Sequence, residues 1–235
     1  EVITWLTDCV TNSGHKLVDD FHELWPYTNS LTIDDYDYIQ DYMTETGKDL
    51  TYASDNGARN PETLFALKFS NFAGWDIDRG YGNMYQLFFA LRGLQNVANP
   101  FPFAGWGQGN SIPKSMVDEW AADEPDDPRL GASVIVIDEE LPNYQIAQWD
   151  FVMESNWWGK KYNGVAVRVP EGDGFTYHND YSVIMYGNQD NQQLSHGDDL
   201  IFIRFADVLL MLSELTEDAQ YMNLVRAIAG LDPKP

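Results

Sequence analysis

The sequence predicts a mainly α-helical chain with irregular loops and a few short β-strands, an α+β arrangement in a single compact unit over residues 1–235. Three observations carry that prediction. Residues 198–231 hold two amphipathic helical stretches separated by a short turn, a closing helical hairpin. Short β-branched segments, such as 133–138 and 165–169, sit between glycine-containing turns. Residues 71–111 are rich in glycine and aromatics and have no period, which marks a long irregular region.

Taken in order, Val2–Asn12 reads as a helix with Val2, Leu6 and Cys9 on one face and Gly14 as its stop. Lys16–Trp25 predicts a short helix or turn packing Leu17, Phe21 and Trp25, and Asp34–Met43 a helix capped near Thr32 or Asp34. Thr63–Phe69 alternates as a strand does. A helix is expected from Ser111 or Lys114 to Ala122, then an acidic turn over Glu124–Pro128. Strands are expected at Ser133–Asp138, near Tyr144–Phe151, at Val165–Val169 and at Tyr181–Tyr186. In the closing hairpin Ile201, Phe205, Val208, Leu209 and Leu212 recur at helical spacing, Met222, Val225 and Ala229 continue the stripe, and Gly230 can end it in a left-handed turn.

Composition narrows the function classes. Fourteen Lys plus Arg against 37 Asp plus Glu give a formal net charge of −23, which repels phosphate backbones and anionic membrane surfaces. The single cysteine, Cys9, allows no internal disulfide and no cysteine-based zinc cluster. Asp8 before it is not the small residue that a lipidation site needs, so a structural thiol is expected. No run approaches the ~20 apolar residues of a membrane-spanning helix.

The residues richest in chemistry are aromatics in predicted loops. Sugar rings offer flat C–H faces that stack on Trp and Tyr, while their hydroxyls need planar polar partners, and both kinds lie close together here. Trp75 precedes Asp76, Asp78 and Arg79; Trp106 precedes Gln108 and Asn110; Trp157 follows Asn156. Trp75, Asp76, Tyr81 and Trp106 in the 71–111 region, then Trp157 and Trp158, are the candidate ligand-binding residues, with Trp149 a weaker one. Trp5, Trp25 and Trp120 fall on apolar helical faces and are expected in the core.

Other chemistry finds less support. A glycosidase needs two acids about 5–10 Å apart across a cleft, and spacing selects no pair among Asp76 with Asp78 or Glu139 with Glu140. Adjacent acids on a strand point to opposite faces, which excludes the second pair if both lie in a strand. Calcium is a weak option: Asp76-Ile77-Asp78-Arg79-Gly80 begins like a calcium loop but lacks its later acidic ligands, and the 123–127 acids read as a solvated turn. The four histidines are scattered, no Gly-x-Ser-x-Gly elbow occurs, and Gly105-x-Gly107-x-Gly109 lacks the spacing of a phosphate loop.

The wording of the closing hairpin is more specific than its period. Arg204-Phe205-Ala206-Asp207-Val208-Leu209-Leu210-Met211, then Glu214, then Asn223-Leu224-Val225-Arg226 before Ala229-Gly230-Leu231, resembles the SusD/RagB family of surface nutrient-binding lipoproteins of Gram-negative outer membranes. Residues 61–69, Ile112–Trp120, Asp127-Pro128-Arg129 and Gly159-Lys160-Lys161-Tyr162 resemble further family segments, in family order. Ser213 for a usual Ala and Lys114 for a common Thr depart from the pattern.

The resemblance implies a helical scaffold with repeat (TPR-like) packing, here an internal fragment truncated at both ends, with the lipid anchor outside this chain. It also implies non-catalytic binding of oligosaccharide or polysaccharide, without cofactor, and delivery to a SusC-like TonB-dependent transporter at the outer-membrane surface. The alternatives are a carboxylate-dependent glycoside hydrolase, and a peptide-binding or transporter-docking module without glycan affinity.

Overall fold

The structure, a computed structural model, describes residues 1–25, 37–54, 59–69, 85–89, 111–140, 156–161, 166–172, 174–179 and 199–235. Among these the chain is mainly helical with short strands, as expected, and its strands form two-stranded antiparallel pairs.

Helix α1 (Val2–Asn12) packs against the first helix of the closing hairpin. Its inward stripe is Leu6, Cys9 and Val10, all half-buried. Trp5 lies about 100° around the helix from Leu6, and it is 63 % exposed, so the expected core role is corrected. Gly14, at φ +76°, lets the chain leave the helix.

The next segment runs extended before closing into a 3-10 turn at Phe21–Leu24, capped by Asp20 through the His22 amide at 2.9 Å. That later turn leaves Leu17 half-buried and brings Val18 and Leu24 inward beside Phe21, which is buried as expected. Together with Ala132 and Ala229 they form the core cluster, and Trp25, Ala53, Ile228 and Leu231 pack on it. The Phe21 amide donates to the Ile228 carbonyl at 2.9 Å, which joins this turn to the far end of the chain.

Helix α2 (Asp37–Thr46) buries Ile39 and ends at Gly47. Strand β1 (Thr63–Leu67) pairs antiparallel with β6 (Leu200–Arg204), with irregular register. The second strand corrects the reading of Ile201 as helical. Leu200-Ile201-Phe202-Ile203 has strand chemistry, and Arg204 is the turning point, extended at φ −109°, ψ 163°, with its amide donating to the Asp207 carboxylate at 2.7 Å.

Between them lie α3 (Tyr85–Phe89), α4 (Lys114–Asp123) and α5 (Pro128–Ser133). Helix α3 is a short regular piece inside the stretch expected to be irregular. Helix α5 occupies the Asp-Pro-Arg segment because Asp127 caps it through the Arg129 amide and Pro128 fits its first turn. Strand β2 (Val134–Val136) is shorter than expected, since α6 (Ile137–Glu140) takes the acidic residues into a helical turn. Strand β3 (Trp157–Gly159) pairs antiparallel with β2.

The hairpin of β4 (Ala166–Glu171) and β5 (Gly174–Asn179) turns through Gly172 at φ +59°. Strand β4 matches the Val165–Val169 expectation, whereas β5 uses residues that had read as turn. The expected Tyr144–Phe151 and Tyr181–Tyr186 strands lie outside the described residues. Finally α7 (Phe205–Thr216) buries Phe205, Ala206, Val208, Leu209 and Leu212. Left-handed Glu217 and the Asp218 cap lead into α8 (Ala219–Ala227), and Gly230 closes it at φ +70°.

Candidate functional site

Of the six residues singled out by their chemistry, Trp75, Asp76, Tyr81 and Trp106 lie outside the described residues, as does Trp149. Trp157 and Trp158 begin β3, and neighbours in a strand point to opposite faces. Trp158 goes inward. It is fully buried, and its indole nitrogen donates to the Phe89 carbonyl oxygen at 2.7 Å. The ligand contact expected of Trp158 is therefore replaced by a core role: its ring is spent on packing and its one polar group on the backbone.

Trp157 goes the other way and stays half-buried. Its carbonyl accepts the Ile112 amide at 2.9 Å, and Ser111 bridges Trp158 beside it, so the strand is stitched to the entry of α4. The Lys114 ammonium, in the first turn of α4, stands 5.5 Å from the Trp157 ring centroid and is anchored by Asp118 at 2.6 Å. Asn156, held left-handed at φ 63°, starts the strand; its carbonyl accepts the Ile137 amide at 3.0 Å and its side-chain oxygen the Asp138 amide at 3.1 Å. An indole with an ammonium over its ring, and a carboxylate holding that ammonium, has parts that can stack on a sugar ring and hydrogen-bond its hydroxyls.

The platform rests on buried polar anchors. Lys160, next along, is fully buried, with its ammonium bonded to Glu140 at 2.7 Å and to the Gly131 carbonyl at 2.6 Å, 3.7 Å from the Tyr38 ring centroid. Burial pushes this amine down to about 8 in spite of the opposing pull of Glu140. Glu140 also accepts the Val136 amide at 3.1 Å. A Cβ on Gly131 would meet the Tyr38 ring at 3.3 Å, so glycine lets α2 approach α5.

A second polar cluster fixes the N-terminal segment. Asp20 accepts from the Nδ1 of His22 at 2.9 Å, from the Tyr42 hydroxyl at 3.1 Å and from the Lys48 ammonium, while His22 Nε2 lies 3.2 Å from the Tyr38 hydroxyl. Burial alone would raise the Asp20 carboxyl, but the hydrogen bonds from His22 and Lys48 outweigh it and hold it well below the usual carboxylate range.

Two carboxylates of the acidic turn are paired with cations. Glu124 pairs with Arg226 at 2.9 Å and Lys234 at 2.7 Å, and Asp127 takes the Arg129 fork and the Trp120 indole nitrogen at 2.9 Å. Among the described residues no group of three or more His, Cys, Asp or Glu is placed to hold a metal. None of the described helices is long and apolar enough to cross a membrane. Sequence reasoning missed Lys114 as the partner of Trp157; its signal was the departure from a common Thr just before a helix.

No family model matches the chain, and no curated protein matches it. Solved structures do. Surface glycan-binding protein A from Bacteroides thetaiotaomicron in complex with laminarihexaose superposes with a TM-score of 0.60 at 15% identity, over 99% of this chain and 43% of that one. A laminarin-binding SusD-like protein gives a TM-score of 0.61 at 18% identity, over 99% and 44%. Surface glycan-binding protein A from Bacteroides uniformis gives 0.57 at 15% identity, over 99% and 38%. The chain thus spans less than half the length of these structures, and the superpositions cover 99% of it. They show that the chain has the SusD-like fold.

Proposed function

We propose that this chain is a glycan-binding segment of a surface nutrient-capture protein, one that holds an oligosaccharide or polysaccharide without turning it over. The observation that carries this reading is Trp157. A half-buried indole carries the Lys114 ammonium, itself held by Asp118, over its ring, in a fold shared with a protein solved with laminarihexaose bound. Its ring supplies a stacking face, and the flanking groups supply donors and acceptors for hydroxyls. Trp75, Asp76, Tyr81 and Trp106 are proposed as further ligand contacts, on the strength of their chemistry in sequence. A high negative charge suits a neutral ligand, which it does not repel.

In this reading the captured glycan passes to a SusC-like TonB-dependent transporter at the outer-membrane surface, where a lipid anchor holds the protein. Affinity electrophoresis of the chain against laminarin and a panel of plant, host and microbial polysaccharides tests the capture step. Retardation by one polymer is expected, weakened about tenfold by Trp157→Ala or Trp106→Ala and unaltered by Trp5→Ala. Incubation with that ligand should release no product. A folded protein retarded by no polymer, or one that cleaves its ligand, overturns the reading.

A further inference from the structure

Lys114 and Asp118 stand one turn apart on α4, both exposed, with the ammonium bonded to both carboxylate oxygens, one at 2.6 Å. Helix stability does not explain the pair. Lys114 is the first residue of α4, where a cation opposes the helix dipole, and Lys before Asp is the weaker order for such a pair. The order does put the cation at the end of the helix that meets Trp157. The Ile112 amide donates to the Trp157 carbonyl at 2.9 Å, and the Lys114 ammonium lies 5.5 Å from the ring centroid. Lys160 approaches its own aromatic partner, Tyr38, to 3.7 Å, so Lys114 stands off the indole rather than in contact with it.

The bonding leaves a defined set of free groups. Two of the three ammonium N–H groups are used on Asp118 and one remains, while each carboxylate oxygen keeps lone pairs. A donor and acceptors thus lie side by side, and the two charges cancel. The next amines along the strand add no cation here. Lys160 is paired with Glu140, and Lys161 lies against Trp25 and Phe21. The turn carrying Asp138 and Glu139, both exposed, is bonded to Asn156 just before Trp157, with the Asp138 amide donating to the Asn156 side chain at 3.1 Å.

We propose that the Lys114–Asp118 pair sets the specificity of the Trp157 platform: it accepts a neutral sugar with two neighbouring hydroxyls and turns away a uronic acid. This rests on the reading of Trp157 as a stacking surface. A hydroxyl both donates and accepts, so one of the two can take the free Lys114 N–H while the other donates to Asp118. A sugar carboxylate only accepts. It can use the ammonium, but it meets the Asp118 charge that already neutralises that cation. Asp118 decides the outcome, because without it Lys114 is an unpaired cation that favours an anion.

The test uses the full chain labelled with fluorotryptophan and follows the Trp157 fluorine signal, assigned by its loss in Trp157→Phe. The titrants are laminarihexaose and the same oligosaccharide with its primary hydroxyls oxidised to carboxylates. In the parent the neutral form should bind at least about fivefold more tightly, the scale of one charge pair a few ångströms apart in water. Asp118→Asn should lower that ratio by about the same factor and Lys114→Met should raise it, since each removes one charge of the pair. Added salt should shrink both changes, because they are electrostatic. Both side chains are exposed, so the variants fold. A ratio unchanged in both variants, or a parent that prefers the oxidised form, overturns the proposal and leaves the Trp157 reading standing. A Trp157 signal moved by neither oligosaccharide overturns both.

Discussion

The Trp158 indole nitrogen donates a 2.7 Å hydrogen bond to the carbonyl oxygen of Phe89, 69 positions earlier in the chain. One side chain thus fills the space behind β3 and ties that strand to α3. Trp158→Ala should cost ~3–5 kcal/mol through cavity and lost hydrogen bond. Its neighbour Trp157→Ala should cost under about 1 kcal/mol while weakening glycan retention. Urea unfolding beside affinity electrophoresis separates the two; equal destabilisation by both substitutions would contradict the inward-outward division of β3.

Trp5 makes the complementary case. With 63 % of its surface exposed on α1, Trp5→Ala should change stability by less than about 0.5 kcal/mol. A midpoint shift approaching that of Trp158→Ala would mean that this face is covered in solution.

Asp20 should dominate the acid limb of stability. Its folded carboxyl is held below the ordinary 3.8 by His22 and Lys48 against the cost of burial. The unfolded chain therefore binds this proton first, and the stabilisation is present above about 3.8 and lost as pH falls through and below it. Thermal melts of the parent between pH 5 and pH 2 should steepen downward, and Asp20→Asn should flatten that slope while lowering stability at pH 7. An identical acid slope in Asp20→Asn would assign acid unfolding elsewhere.

The closing hairpin was legible because its apolar stripe and its Gly230 stop are written locally. Where it failed, at Ile201, strand and helix share the same short apolar run, and the pairing that decides it is with Thr63–Leu67, far away in sequence. Trp157 and Trp158 look alike as letters; only the β2 partner, which fixes the face of β3, tells the platform from the core. Trp5 misled because one residue of helical phase separates Leu6 from solvent. The polar anchors Lys160–Glu140 and His22–Asp20 could not be read at all, since burial of a charge is decided by what folds over it.

Lys160 sets the alkaline behaviour. Its ammonium, fully buried with Glu140, is pushed down to about 8 from an ordinary 10.5. Between these values the unfolded chain binds the proton that the folded chain has released, so stability should rise with pH, by up to about 1.4 kcal/mol per pH unit. Above about 10 the direction reverses, because burial holds the Tyr38 hydroxyl well above its ordinary value and the unfolded tyrosine ionises first. Lys160→Met should abolish much of the rise between pH 8 and 10. It should also destabilise the chain by ~3–5 kcal/mol at pH 7, because Glu140 is left without its cation. Adding Glu140→Gln should recover part of that loss. Denaturant melts at pH 7, 8, 9 and 10 on the parent, the single and the double variant decide it. A rise that persists undiminished in Lys160→Met would move the titration to Lys161, whose amine is also brought down to about 8.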